Sequence, residues 1–128
     1  MRKFPHYKQH DAMDCGPTCL RMIAAFYGRH YSLERLRQKS RITKEGVSLL
    51  GVSEAAESLG FRTMGVSISF EQLCEAPLPS IVFWNQQHFV VVYDIKKHKN
   101  GFTVYVADPA GERLKYTQDE FCRNWIST

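Results

Sequence analysis

Gln9-His-Asp-Ala-Met-Asp-Cys15-Gly-Pro-Thr-Cys-Leu20 reads as a loop that runs into a helix, with a cysteine at the junction. The first turn of a helix carries unpaired N–H groups and a partial positive charge. A thiol held there loses its proton more readily, and the thiolate is the form that attacks a carbonyl carbon. Pro17 suits the first turn, where its missing N–H costs nothing. Leu20, Ile23, Ala24 and Tyr27 recur at helical spacing and predict one buried face over Cys15 to Tyr27. Asp14 stands where a capping residue would, and Gly28 is placed to end the helix in the left-handed conformation.

Around this helix the chain falls into two halves. Residues 3–9 are expected to be extended, since Pro5 keeps them out of a helix. Ser32 caps a short second helix with Leu33 and Leu36 facing inward, and 39–46 reads as a polar loop. Ser48 opens a third helix, 49–59, which Gly60 stops. The period then changes to alternation over 61–68, which predicts a strand, and 69–74 fits one helical turn or two. Strands are expected over 80–84, 88–95 and 102–107, with a hairpin over 96–101, a turn at 108–111 and a short strand over 112–116. Thr117-Gln-Asp-Glu120 is a capping box opening a last helix through Trp125. Helices first and an antiparallel sheet second is an α+β order, in one domain spanning 1–128.

The bulk properties exclude several classes. The net charge is +4 with the basic residues scattered, at Arg35 and Arg37, Lys39 and Arg41, and Lys96 to Lys99. These read as solvated faces, and no nucleic-acid site is expected. The opening residues Met1 to His6 lack the apolar run of a signal peptide, and no stretch reaches the ~18 apolar residues of a membrane span. A cytosolic protein, or a cytosolic piece of a larger one, is expected. Its four cysteines then stay as thiols, with Cys19, Cys74 and Cys122 packed in the core. The spacing of His6, His10, Cys15 and Cys19 is not that of a zinc knuckle, so no metal site is expected. His30 and His98 are expected in solvent.

Thiol catalysis needs an imidazole beside the sulfur and a group that orients the imidazole. His88 opens the strongest strand just after a turn, and Asp108 ends the next strand just before Pro109. Neighbouring antiparallel strands bring such ends together. Asp108 would then accept from one ring nitrogen of His88 while the other faces Cys15. The Gln9 amide, on the approach loop, would donate to a developing oxyanion together with the Cys15 N–H.

Gln9-x5-Cys15-Gly, His88-Phe-Val-Val and Asp108-Pro, in that order, resemble the papain-like peptidase domain that processes bacteriocin leader peptides. The similarity extends to Tyr27-Gly28, to Gly46-Val-Ser-Leu-Leu and to Ala55-Ala-Glu-Ser-Leu-Gly-Phe61. It implies a papain-like α+β fold, with helices packed on a C-terminal antiparallel sheet, and a cysteine endopeptidase cutting after a Gly-Gly or Gly-Ala leader. The implied roles are Cys15 nucleophile, His88 general base and acid, Asp108 orienter and Gln9 oxyanion donor. The implied partners are a precursor peptide with an amphipathic leader and the membrane and nucleotide-binding domains of an ABC transporter. That places the domain on the cytoplasmic side of the bacterial inner membrane. It implies no cofactor for the domain itself, with ATP acting only through transporter parts outside this chain. A glycine-sized cleft needs close walls, and Trp84, Phe89 and Met13 are the candidates nearest the motifs. Two other readings share the motifs: a docking module without proteolysis, and another papain-like thiol acyl-transfer enzyme. The chain is either an excised domain or a stand-alone relative.

Overall fold

The computed structural model describes residues 4–9, 14–40, 48–63, 68–84 and 88–125. Among them the order is α1 (Cys15–Phe26), α2 (Leu33–Ser40), α3 (Leu49–Ser58), α4 (Phe70–Glu75), β1 (Ser80–Trp84), β2 (His88–His98), β3 (Gly101–Ala107), β4 (Arg113–Thr117) and α5 (Gln118–Asn124). The strands form one antiparallel meander in the order β1-β2-β3-β4. The expected helices-then-sheet architecture is what the chain adopts.

The apolar run of β2 is continuous because the sheet is covered on both faces. Phe89 and Val91 point to the side of α1, α2 and α3, with Leu20, Met22, Leu36, Val52 and Ala55. Val90 and Val92 point the other way, with Val104, Val106, Phe70 of α4 and Phe121 of α5. Between Val92 and Asp94 the register with β3 shifts by one residue. This bulge reverses the parity, so Ile95 packs on the same side as Val92 rather than opposite it. β2 also runs on to His98, three residues past the expected end, because its exposed tail still pairs with β3 through to Gly101.

Local signals account for most ends. Ser32, Ser48, Ser69 and Thr117 each accept from a backbone N–H three residues on. Ser69 with Gln72 and Thr117 with Glu120 form complete capping boxes. Gly28 has φ +82° beyond α1, where the Gly28 and Arg29 N–H groups donate to Ala25 and Ala24.

Four expectations need correction. The buried face of α1 is not the single stripe proposed: Cys15, Cys19 and Met22 are buried alongside Leu20 and Ala24, while Tyr27 is 54% exposed. This helix sits between the sheet and α2 with α3, so it buries more than one side. The strand over 61–68 is not found at 61–63 or 68; residues 64–67 lie outside the described residues. Instead the Phe61 N–H turns back to the Ala56 carbonyl and the Thr63 hydroxyl donates to Glu57, folding the chain onto the end of α3. Cys122 is exposed and Cys74 half-buried, because α5 buries only Phe121 and α4 only Phe70 and Leu73. The polar loop at 39–46 begins later than expected, since α2 includes Lys39 and Ser40; 41–47 lie outside the described residues.

Candidate active site

Cys15 is the first residue of α1, and His88 is the first residue of β2. Asp108 follows the last residue of β3, in a turn closed by Asp108 N–H to Glu112 O and Gly111 N–H to Asp108 O. The meander sets β2 beside β3, with Val91 opposite Ala107. α1 packs on β2, which brings the helix tip to the same end of the sheet.

The three side chains meet there. Nε2 of His88 lies 2.7 Å from Oδ1 of Asp108, with both side chains less than a fifth exposed. The Ala110 N–H donates to the same carboxylate oxygen at 2.9 Å. The Cys15 sulfur hydrogen-bonds the imidazole as well as the backbone N–H groups of Phe89 and Gly16. With Nε2 engaged by the acid, Nδ1 is the ring nitrogen left for the sulfur.

The electrostatics follow from these contacts. Burial pushes the Cys15 thiol up, but the His88 hydrogen bond, the Phe89 N–H and the imidazolium charge outweigh it, and the thiol ends below its ordinary range. Burial pulls His88 down, yet Asp108 and Cys15 together hold it up at about 9. Asp108 is opposed by burial and lowered by His88, by Ala110 and by the nearby charge of His6. A thiolate–imidazolium pair with its acid partner is the state this geometry favours.

The neighbouring cysteine behaves oppositely. Cys19 is fully buried and donates its S–H to the Phe89 carbonyl at 3.4 Å. Burial, then the charges of Cys15 and Asp108, drive its thiol well above the ordinary range. It is a packed core thiol, as expected. The Phe89 main chain thus touches both sulfurs, on Cys15 as donor and on Cys19 as acceptor.

The remaining candidates sort by position. The Gln9 N–H donates to Pro109 O at 2.7 Å, which ties the approach loop to the turn that carries Asp108. Met13 lies outside the described residues, as do His10 and Asp11. Trp84 is the cross-strand partner of His88, and its ring is buried, 8% exposed, on Tyr116 and Phe121. Phe89 is 2% exposed, so its main chain serves the site and its ring serves the core. His30 and His98 are exposed, as expected, with His98 on the Thr103 hydroxyl.

Asp14 does not cap α1. Its side chain makes no capping hydrogen bond and is 1% exposed, with Arg37 Nε 2.9 Å from Oδ1. Arg37, expected on a solvated face, therefore reaches inward. It follows Leu33 and Leu36 and precedes Ser40 at helical spacing, so its place on the apolar stripe of α2 was the available signal. His6 was also missed: its Nε2 lies 2.9 Å from the Asp108 carbonyl oxygen. No local pattern marks it, because the contact spans 102 residues.

No helix among the described residues is long and apolar enough to cross a membrane. The Peptidase C39 family profile matches residues 3–128. The chain is 35% identical to the lactococcin-G-processing and transport ATP-binding protein of Lactococcus lactis over 91% of its length. It is 32% identical to the probable microcin-H47 secretion/processing ATP-binding protein of Escherichia coli over 95%. It spans only 17% of each of those relatives. Among solved structures, a double-glycine motif protease from an AMS/PCAT transporter, in complex with its leader peptide, superposes with TM-score 0.88 and 32% identity. That match covers 98% of this chain and 87% of the other. The peptidase domain of Streptococcus ComA superposes with TM-score 0.80 and 30% identity, covering 98% and 94%. A helix-tip thiolate held by an imidazole on a meander sheet, inside a match that runs nearly end to end, has one reading: the chain belongs to the Peptidase C39 family and is a cysteine peptidase domain of papain-like fold.

Proposed function

We propose that this domain removes double-glycine leader peptides from bacteriocin-type precursors, as the peptidase part of an ABC transporter that exports the product. The observation that carries the reading is the 2.7 Å contact of His88 with Asp108, on an imidazole that also bonds the Cys15 sulfur. On this reading the four side chains take the following roles. The Cys15 thiolate attacks the carbonyl carbon of the last leader residue. Negative charge moves onto the carbonyl oxygen, where the Cys15 N–H and the Gln9 side-chain amide donate to it. The His88 imidazolium gives its proton to the departing amine as the C–N bond breaks, leaving a thioester. Water then attacks that thioester, His88 takes its proton, and the free leader acid and the thiolate return. Asp108 holds the ring orientation and the imidazolium charge throughout.

The relatives that this chain matches over 17% of their length are transport and processing proteins. The domain is accordingly placed, by proposal, on the cytoplasmic side of a bacterial membrane beside transmembrane and nucleotide-binding domains. Four side chains and a water complete the cycle, so ATP enters only through those other domains.

The test is incubation with synthetic precursors whose leader ends in Gly-Gly, with cleavage sites read by mass. Cleavage after the second glycine is expected, reduced by roughly a thousand-fold or more in Cys15→Ala. Tight binding of peptide that stays intact would favour a docking module, and incorporation of an added amine without net hydrolysis would favour a transferase.

A further inference from the structure

The catalytic cycle makes no use of the most deeply buried carboxylate among the described residues. Asp14 precedes the nucleophile, is fully buried, and leaves α1 without a side-chain cap. A serine or asparagine in that position would satisfy the helix start without burying a charge. Among the described residues neither carboxylate oxygen accepts a well-formed hydrogen bond, so the guanidinium of Arg37 is the compensation for that burial. Arg37 is well founded for this. Leu36 beside it is fully buried, and the Ser40 hydroxyl is bonded to the Leu36 carbonyl at 2.7 Å.

The pair is half-buried, with Asp14 enclosed and the Arg37 side chain 39% exposed; removing the arginine leaves the enclosed carboxylate unpaired, which is costly. A pair of this kind fixes position, and the position fixed here is that of the residue next to the reactive sulfur. We propose that Arg37 is a positioning residue for the nucleophile: through its ion pair with Asp14 it clamps the first turn of α1 from α2. The Cys15 sulfur and the Cys15 N–H then stay aimed at the scissile carbonyl. This rests on the proposed peptidase chemistry, and its test includes a readout that needs no peptide substrate.

The variants are R37M, R37K and D14N/R37M, assayed well below the unfolding temperature of each. With a Gly-Gly precursor, R37M is expected to lower kcat about ten-fold or more while KM stays within about three-fold. Alkylation of Cys15 by iodoacetamide at about pH 6, followed by mass, should slow in parallel. D14N/R37M, which removes the stranded charge without restoring the clamp, should stay as slow as R37M in both rates. Wild-type kcat in R37M, or a double variant that recovers wild-type rates, overturns the proposal. Should R37M fail to fold, R37K takes its place, since an ammonium keeps the charge and loses the planar fork. R37K is then expected to lose kcat by a few-fold, and an unchanged kcat overturns the proposal. If wild-type protein leaves the precursor intact while the alkylation pattern holds, the substrate assignment fails and the clamp stands.

Discussion

At the scale of single residues, the site is a competition between burial and pairing. Burial works against charge on Cys15, His88 and Asp108 alike, and their mutual contacts win in all three. The consequence for pH is directional. His88 is held at about 9, so activity is expected to fall on the alkaline side as the pair loses its proton near there. It should fall on the acid side as the thiolate is protonated. In Asp108→Asn the alkaline limb of kcat/KM should shift to lower pH, because the carboxylate no longer supports the imidazolium; an unmoved limb would detach Asp108 from the ring. The sign for stability follows the same logic. The folded value for His88 lies above its ordinary 6.5, so its contribution is full below 6.5 and lost as pH rises through about 9. Asp108, lowered from 3.8, contributes above that value and loses its contribution as pH falls through the lower folded one. Gln9→Ala is a separate case, since its amide is assigned to the transition state. It should slow kcat by about ten-fold or more and leave KM nearly unchanged. A matching rise in KM would instead make Gln9 a ground-state binder.

At the scale of elements, capping and patterning set boundaries, and packing sets faces. The Thr117 and Glu120 box starts α5 far along the chain from Cys15. Thr117→Ala is expected to cost about 1 kcal/mol in urea unfolding without changing kcat. A change in kcat would mean that α5 is coupled to the site. The caps at Ser32, Ser48 and Thr117 are legible in the sequence because a cap is a contact between residues three apart, while the one at Ser69 emerged only with the structure. The wider burial of α1 was not, because it depends on α2 and α3 arriving on its far side. The end of α3 shows the same limit: alternation over 61–68 suggested a strand, but contacts back to Ala56 and Glu57 folded 61–63 onto the helix.

At the scale of the whole molecule, the sheet is a shared wall between two cores. Phe89 and Val91 belong to one and Val90 and Val92 to the other, on consecutive residues of a single strand. The two cores should therefore unfold together. Phe121→Ala, which empties a fully buried site against Phe70, Trp84 and Trp125, is expected to cost about 3–5 kcal/mol. Reactivity of buried Cys19, on the opposite face, should report the same shifted midpoint as circular dichroism. Separate midpoints would mean two independent units.

The amino-acid order by itself determined the helices-then-sheet plan, the capped helix starts, the hairpin strands and the identity of Cys15, His88 and Asp108 as candidates. Each of those is written in neighbours a few positions apart or in a recurring period. Only the tertiary structure decided that these three side chains share one imidazole, that Asp14 is paired with Arg37 instead of capping, and that His6 lies against Asp108. Those contacts join residues between 20 and 102 positions apart, and such distances close only when β2 lies beside β3 and α1 packs against both β2 and α2. Local propensity carries no information about which distant partner a side chain will meet; the burial of both faces of one sheet supplies it.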